Sequence, residues 1–486
     1  MTALSNAGLV NFPNPGWAWP TGGLHSLLLA VLSNDSDLGL NAARRWFESH
    51  DIDNVTFREH RLLCAIAARY GRQLSDRPEY ARLTGLQRML WSKSRMAFRE
   101  ALPALHELIG LNVSVMLLKG ASRLALSSED QKARVSNDLD LLVSPDNAVM
   151  AIEVLQRSGW STSTGESLLA LKRRLPGTRA INMFYGHFGD IDLHHWAFQT
   201  PRPSRVVENA IWQNGVASDF FGVPVLVPSA TDRFALALSS SALDAHNHSD
   251  WLVDCKHALS DPSFDFHRFV ELVKQLGMAY QATNVLTYFK DKIGLDVPEN
   301  AELLKMVASM PSRERVSMAL RMKPRTDWNI VTRPARGVAK ALAKTKLKSE
   351  LTAPVKVKLA KIGGMSVASN MVTRAQVSID RRSLTRTCTI SLTLALAFKG
   401  LRRRYEFEIN TETTNVGRFR VRDLFGLRGM RKVQVSVPVN VEDLEDPIFI
   451  ESRPGRHLPN DAPDKLVARY SAAPFSIQSI NFVSPG

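Results

Sequence analysis

Cysteine is scarce: Cys64, Cys255 and Cys388 are the three in 486 residues, too few and too scattered for a disulfide framework or a thiolate zinc site. That usage fits a reducing compartment, and a cytoplasmic location is the expectation. Long apolar runs are missing as well, since none reaches the roughly 18 residues that a membrane helix needs, so no transmembrane segment is expected. The apolar run at residues 27–32 follows Pro13, Pro15 and Pro20 and has no basic leader, so no signal peptide is expected either. There is no repeat of fixed period. With 44% hydrophobic and 22% charged residues the composition is that of ordinary globular protein. This excludes wholesale disorder, a collagen-like fibre and a disulfide-stapled miniprotein. The length points to about two to four domains.

What is abundant is positive charge, a formal net +15. It is concentrated. Residues 321–361 hold twelve Lys and Arg against Asp327 and Glu350, a net +10, which leaves +5 for the other 445 residues. Pro324, Pro334 and Pro354 interrupt this stretch and Ile362-Gly363-Gly364 closes it. The pattern reads as an exposed linker, residues 321–365, with a short basic helix near 335–351. Its charge suits contact with a polyanion or an anionic surface; a solvated tether is the plain alternative.

Residues 1–110 read as helical. Segments 42–49, 57–70 and 83–109 carry apolar residues at three-to-four spacing, and Leu102, Leu105 and Leu108 form the stripe of the last. At Gly110 the period changes. Val113, Val115 and Leu117 alternate with Asn112, Ser114 and Met116, a strand signal that runs into Lys119-Gly120. A second strand is expected at 138–143. Ser144-Pro145-Asp146 then supplies an N-cap, a first-turn proline and an acid for a helix that buries Val149, Ile152 and Leu155. An extended pair follows at 180–185 and 190–194, joined through Gly186 and Gly189. Residues 111–205 thus form a small mixed-sheet core, and 206–320 a helical region packed on it. Beyond the basic stretch the period is two: Ile390 to Phe398, Tyr405-x-Phe407-x-Ile409 and the valines from Val433 to Val441 alternate with small or polar residues. With Val377/Ile379 and Phe419/Val421 these make at least five strands of an antiparallel β-domain, residues 366–486, a sandwich or open barrel. Pro438 suits an edge strand. The fold class expected is α+β.

The stretch that carries chemistry is Met116-Leu-Leu-Lys-Gly-Ala-Ser122, followed by Arg134-Val-Ser-Asn-Asp-Leu-Asp-Leu-Leu-Val143. Residues two apart on a strand share a face, so Asp138 and Asp140 project together while Leu139, Leu141 and Val143 face a core. Two carboxylates side by side repel unless a cation sits between them. Hard cations such as magnesium take oxygen ligands, commonly one or two carboxylates plus substrate phosphates. Gly120 permits a tight turn and close approach of backbone N–H groups to an anion, and helix starts after such turns favour phosphate. A third carboxylate is offered by Gly189-Asp-Ile-Asp-Leu-His-His195, where Asp190, Asp192 and His194 share one face. Asp192 is preferred because apolar neighbours flank it on both sides; Asp190 is the reserve.

Leu118-Lys-Gly, Arg134, Asp138-Leu-Asp140-Leu-Leu-Val and Ile191-Asp-Leu-His194 together resemble the uncharacterised nucleotidyltransferase family of the polymerase-beta-like superfamily. That superfamily's pattern is a Gly-Ser turn, an Asp-x-Asp strand and a third acid in a hydrophobic-acid-hydrophobic triplet. Asp138 and Asp140 match the second element and Asp192 the third, whereas Ala121 separates Gly120 from Ser122 in the first. The resemblance covers roughly residues 20–320, including the helical stretch that ends in Trp251-Leu-Val-Asp254, and not the β-domain. It implies metal-dependent transfer of a nucleoside monophosphate from a nucleoside triphosphate to a hydroxyl acceptor on a small molecule, protein or RNA. Asp138 and Asp140 would bridge two Mg2+ ions, with Mn2+ as a substitute, and Asp192 would ligate the second and help to receive the proton. Lys119, Gly120, Ser122 and Arg134 would bind substrate, with Lys119 or Arg134 neutralising phosphate charge. His194 is expected to orient a carboxylate or pack near the site. The alternative is a catalytically inactive nucleotidyltransferase fold that serves as a nucleotide- or polyanion-binding module.

His246, Asp250 and Asp254 lie at four-residue spacing and resemble a metal-binding row, but Trp251, Leu252 and Cys255 mark a half-buried packing helix, so a structural use is expected. The two candidate contacts respond differently to salt. Polyanion binding through residues 321–361 should fall steeply between low and high ionic strength, with triphosphate binding affected less. Equal salt slopes for the two in a titration would make the basic stretch part of the site.

Overall fold

The structure is a computed structural model that describes residues 19–127, 131–162, 168–175, 178–198, 205–239, 250–311, 314–315, 355–356, 358–361, 374–379, 387–398, 404–422, 429–453 and 475–483. The chain divides into two compact units, Met1–Val154 with Arg179–Lys346, and Leu155–Thr178 with Leu347–Gly486. Together they are a mixed α/β protein. Among the described residues no helix is long and apolar enough to cross a membrane. All three cysteines are buried and free.

The first unit opens with helices α1 (Gly22–Leu32), α2 (Ser36–Ser49), α3 (Phe57–Tyr70) and α4 (Tyr80–Gly110). Their starts are written locally. The Asp35 carboxylate accepts from the backbone N–H groups of Asp37 and Leu38, both at 2.9 Å, and Thr56 with Glu59 forms a reciprocal capping box. The chain continues through β1 (Val115–Leu117), α5 (Lys119–Leu126), β2 (Leu139–Val143), α6 (Ala148–Arg157), α7 (Leu168–Arg174), β3 (Ala180–Tyr185), β4 (Gly189–His194), α8 (Arg205–Gln213), β5 (Val216–Phe220) and β6 (Val223–Val227). Helices α9 (Ala230–Leu238), α10 (Asp250–Leu259), α11 (Phe266–Leu276), α12 (Ala279–Tyr288) and α13 (Ala301–Ser309) follow.

The six strands form one mixed sheet in the order β3-β4-β2-β1-β6-β5. β2 runs parallel to β4 and antiparallel to β1, and β1 runs parallel to β6. The β5–β6 hairpin lies inside the stretch expected to be helical from residue 206. Phe221 and Gly222 turn it with φ of 54° and 86°, the left-handed pair that a two-residue hairpin loop requires. Val223, Val225 and Val227 bury the inner face of β6. Around the sheet the helices share a core in which Trp46, Tyr70, Phe234, Phe269 and Tyr288 are almost wholly buried; each such side chain contributes about 1.5–3 kcal/mol of transfer free energy.

The second unit takes in the end of α6 and all of α7 and carries β7 (Val355–Lys356), β8 (Lys358–Lys361), β9 (Arg374–Val377), β10 (Thr387–Phe398), β11 (Arg404–Asn410), β12 (Asn415–Arg422), β13 (Gly429–Asn440), β14 (Ile448–Arg453) and β15 (Phe475–Val483). They make two sheets, β15-β10-β13-β8 and β7-β12-β11-β14-β9. Both contribute to one core, in which Phe407 stacks on Phe419 at 4.8 Å and meets Phe475 edge-on at 5.5 Å. This is a two-sheet packing of the kind that the alternating pattern predicted. Within the basic stretch, residues 355–356 and 358–361 belong to these sheets, while the expected helix near 335–351 lies outside the described residues.

Pro438 departs from expectation. It sits on β13, an interior strand paired with β10 on one side and β8 on the other, but the β8 pairing spans only Gln434 to Arg431. No described strand pairs with that side of Pro438, so the proline interrupts no pairing there. Gly417 on β12 faces β13 so closely that a Cβ there would lie 2.4 Å from Val437 Cγ1. Gly417→Ala should therefore destabilise the β-unit by about 1–3 kcal/mol in chemical denaturation, and Val437→Ala in the same chain should recover part of the loss. No recovery would mean that the sheets do not approach at this point.

Candidate metal and nucleotide site

The parallel register of β2 and β4 sets Asp140 opposite Asp192. Two residues on, His194 shares the face of Asp192. It is fully buried, with Nε2 2.9 Å from Asp140 Oδ1 and 3.1 Å from Asp192 Oδ2. The first residue of α5, Lys119, donates from Nζ to the same Asp140 Oδ1 and lies 3.9 Å from Asp192 Oδ2. One donor oxygen each from Asp140 and Asp192 and one nitrogen of His194 all lie within 4.8 Å of one another.

Neighbouring elements pin this arrangement. The backbone N–H of Leu118 donates to the Asp140 carbonyl at 2.9 Å. Lys119 itself holds φ at 47°, a left-handed conformation that costs a non-glycine residue roughly 1 kcal/mol or more. At the far end of β4, Glu100 of α4 accepts from the backbone N–H groups of His187, Phe188 and Gly189, which fixes the β3–β4 turn.

The local charges sort the three acids. Burial pushes the Asp140 carboxyl up, but Lys119 and His194 outweigh it and hold the group below the usual carboxylate range. Burial opposes ionisation of Asp192 too; His194, Lys119 and Arg179 prevail and keep it well below that range. Asp138 goes the other way: burial and the neighbouring Asp140 charge raise it despite Lys119. Burial pulls Lys119 down, yet Asp140 and Asp192 raise it on balance, so its ammonium stays charged.

Residues 56–292, just under half of the chain, match the family model described as an uncharacterised nucleotidyltransferase. This segment is similar to that family over the stretch that holds Asp140, Asp192 and His194. No curated protein and no solved structure matches the chain.

Within the matched segment the residues singled out from sequence are distributed unevenly. Asp138 stands one residue before β2, half-buried, with Ser136 Oγ donating to its carbonyl at 3.0 Å and to its Oδ1 at 3.3 Å. It lies outside the tight Asp140–Asp192–His194 group and is coupled to it through charge. Asp190, also half-buried on β4, is outside the group as well.

The first strand ends at Leu117, short of Lys119, so Gly120 and Ser122 lie in the opening turn of α5. Ser122 is buried, and its hydroxyl donates to the Lys119 carbonyl at 2.7 Å. Gly120 leaves room for a guanidinium, since a Cβ there would lie 3.2 Å from Arg134 Cζ and 3.1 Å from Ser136 Oγ. Arg134 in turn forms a two-pronged ion pair with Asp254, 3.1 Å at each prong, and reaches Asp250 at 3.3 Å. Asp250 also pairs with Arg61, and Asp254 with Arg123 at 3.5 Å. Both acids of the row, Asp250 and Asp254, therefore meet cations of the protein, in keeping with a structural use; His246 lies outside the described residues.

Arg179 was not legible. It directly precedes β3, donates to the Ala197 carbonyl at 3.4 Å, and feels the charges of Asp192, Asp140 and Glu208. No motif surrounds it in the sequence; only the sheet brings it to the site.

The opposed shifts predict opposite stability effects at neutral pH. A raised folded-state pKa makes the ionised form of Asp138 a cost that is present above its folded pKa and absent below the unfolded one, so Asp138→Asn should be neutral or mildly stabilising at pH 7, with the difference from wild type gone below about pH 4. Asp140→Asn leaves Lys119 and His194 without their partner and should cost about 1–3 kcal/mol, the lower part of the range because the Lys119 side chain is 43% exposed. Denaturation curves across pH, read on the transition of the first unit, check both signs.

Proposed function

We propose that the protein is a metal-dependent nucleotidyltransferase that moves a nucleoside monophosphate from a nucleoside triphosphate to a hydroxyl acceptor. The observation that carries this reading is the Asp140–Asp192 pair with a cation already drawn to it: the Lys119 ammonium bonds one carboxylate and approaches the other. That ammonium stands in for a divalent ion. The donor set fits as well, because Asp192 Oδ1 is buried without a hydrogen-bond partner among the described residues and two carboxylates are what hard dications take. Asp140 and Asp192 would hold the ion, with Asp138 at its edge. When bound, divalent ions place positive charge on the triphosphate oxygens and lower the pKa of the acceptor hydroxyl.

The remaining work falls to this chain's own groups. Lys119 and Arg179 supply fixed positive charge against the triphosphate, with Gly120 and the opening turn of α5 beside it. The acceptor oxygen bonds to the α-phosphorus, the bond from that phosphorus to the bridging oxygen breaks, and pyrophosphate leaves. Of the three acids Asp138 is the better proton acceptor, because its carboxyl is held above the ordinary range, and Asp192 the better ligand, because its carboxyl is held below.

Calorimetric titration of ATP, GTP, CTP and UTP with magnesium or manganese tests the reading. At least one triphosphate should bind wild type and fail to bind Asp138→Asn/Asp140→Asn, and Lys119→Ala should lower transfer of labelled nucleotide by about 10²-fold. Binding or transfer that survives the double substitution overturns it.

A further inference from the structure

We infer that His194 is a direct ligand of the divalent ion at Asp140 and Asp192, and that this nitrogen tunes the site toward a first-row transition dication, manganese above magnesium; the inference rests on the nucleotidyltransferase reading above. Three features of the imidazole point the same way. Its Nε2 faces both carboxylates at 2.9 and 3.1 Å. Donors at about 2.1 Å from an octahedral ion stand about 3.0 Å apart, so the nitrogen already keeps the spacing of an adjacent ligand to each of the two oxygens.

The second feature is the other ring nitrogen. Nδ1 is buried and has no hydrogen-bond partner among the described residues. A partner that donated to Nδ1 would force the ring proton onto Nε2 and remove its lone pair from use. None does so here. The proton can sit on Nε2, donating to the carboxylates when no dication is bound, and on Nδ1 when Nε2 serves as a ligand.

The third feature is the donor set. Magnesium takes oxygen ligands and keeps several waters, whereas imidazole suits later first-row dications. One nitrogen added to two carboxylates shifts selectivity away from magnesium. Lys119 cannot substitute for this function: its ammonium offers charge and donors but no lone pair.

The alternative is a positioning role, in which His194 only holds the two carboxylates by hydrogen bonds. Electron spin echo modulation of Mn2+ added to the full-length protein separates the two, because only direct ligation gives strong coupling to a 14N nucleus. We expect that coupling in wild type, its replacement by the 15N pattern when histidine is 15N-labelled, and its loss in His194→Gln. We also expect Mn2+ to bind wild type at least about tenfold more tightly than Mg2+, with the preference collapsing toward unity in His194→Gln and both ions lost in Asp140→Asn.

The 15N-labelled wild type needs no substitution, so the result stands even if His194→Gln fails to fold. Absence of nitrogen coupling at saturating Mn2+, or an unchanged Mn2+/Mg2+ ratio in the variant, overturns the inference. Transfer of nucleotide without nitrogen coupling overturns the ligand role alone; nitrogen coupling without triphosphate binding supports it and overturns nucleotidyl transfer instead.

Discussion

Two carboxylates in register on neighbouring strands repel each other. Unit charges 4 Å apart interact by about 4 kcal/mol at an effective dielectric constant of 20, so the Asp140–Asp192 pairing persists only where cations and donors offset it. Lys119 and His194 do so from different elements. The lysine comes from the helix that follows β1, on a backbone forced into the left-handed region. The histidine comes from β4 itself, two residues past Asp192. Both converge on one oxygen of Asp140. The rest of the first unit serves to hold this arrangement still: Glu100 fixes the turn that leads into β4, and the Arg134–Asp254 pair ties the approach to β2 against α10.

That second ion network has a different character from the first. Arg134, Arg61 and Arg123 meet Asp250 and Asp254, three guanidinium groups against two carboxylates, and Arg233 pairs with Asp261 at 2.6 Å. Breaking one member of a buried pair is costly because it strands its partner. The Asp140–Asp192 group, with Asp138 beside it, instead sets three acids against Lys119 and Arg179 around a histidine, an excess of negative charge that a dication offsets. The contrast separates charges that hold the fold from charges suited to a ligand.

In the second unit the same accounting stays structural. Glu408 on β11 is wholly buried, yet it faces Arg418 at 3.3 Å and Arg453 at 2.8 Å, while Glu451 meets Arg374 at 3.0 Å. These cross-strand pairs follow the sheet register, Glu408 opposite Arg418 and Glu451 opposite Arg374. The opposite face of the same strands carries Phe407, Ile409 and Phe419 into the core. Strand alternation alone sorts charge from core here, and the period of two made that division visible.

Much of the fold was legible for that reason, and the gaps have local causes. Strand β15 escaped notice because a bulge opposite Thr393/Leu394 breaks its alternation: Ile477 and Ile480 both pack on the core although they are three residues apart. The β5–β6 hairpin carries little local signal, because its turn, Phe221-Gly222, lacks the Asn-Gly signature and its first strand is mostly exposed. The sequence by itself determined which acids exist to bind a cation, since strand periodicity puts Asp192 and His194 on one face and the Leu-Lys-Gly and Asp-x-Asp motifs sit within reach of each other along the chain. It could not determine how the candidates divide. Only tertiary contacts did so: the parallel pairing of β2 with β4 set Asp192 rather than Asp190 opposite Asp140, the placement of α10 gave Arg134 its partner Asp254, and the pairing of β3 with β4 brought in Arg179, because these are contacts between segments whose relative placement no local pattern encodes.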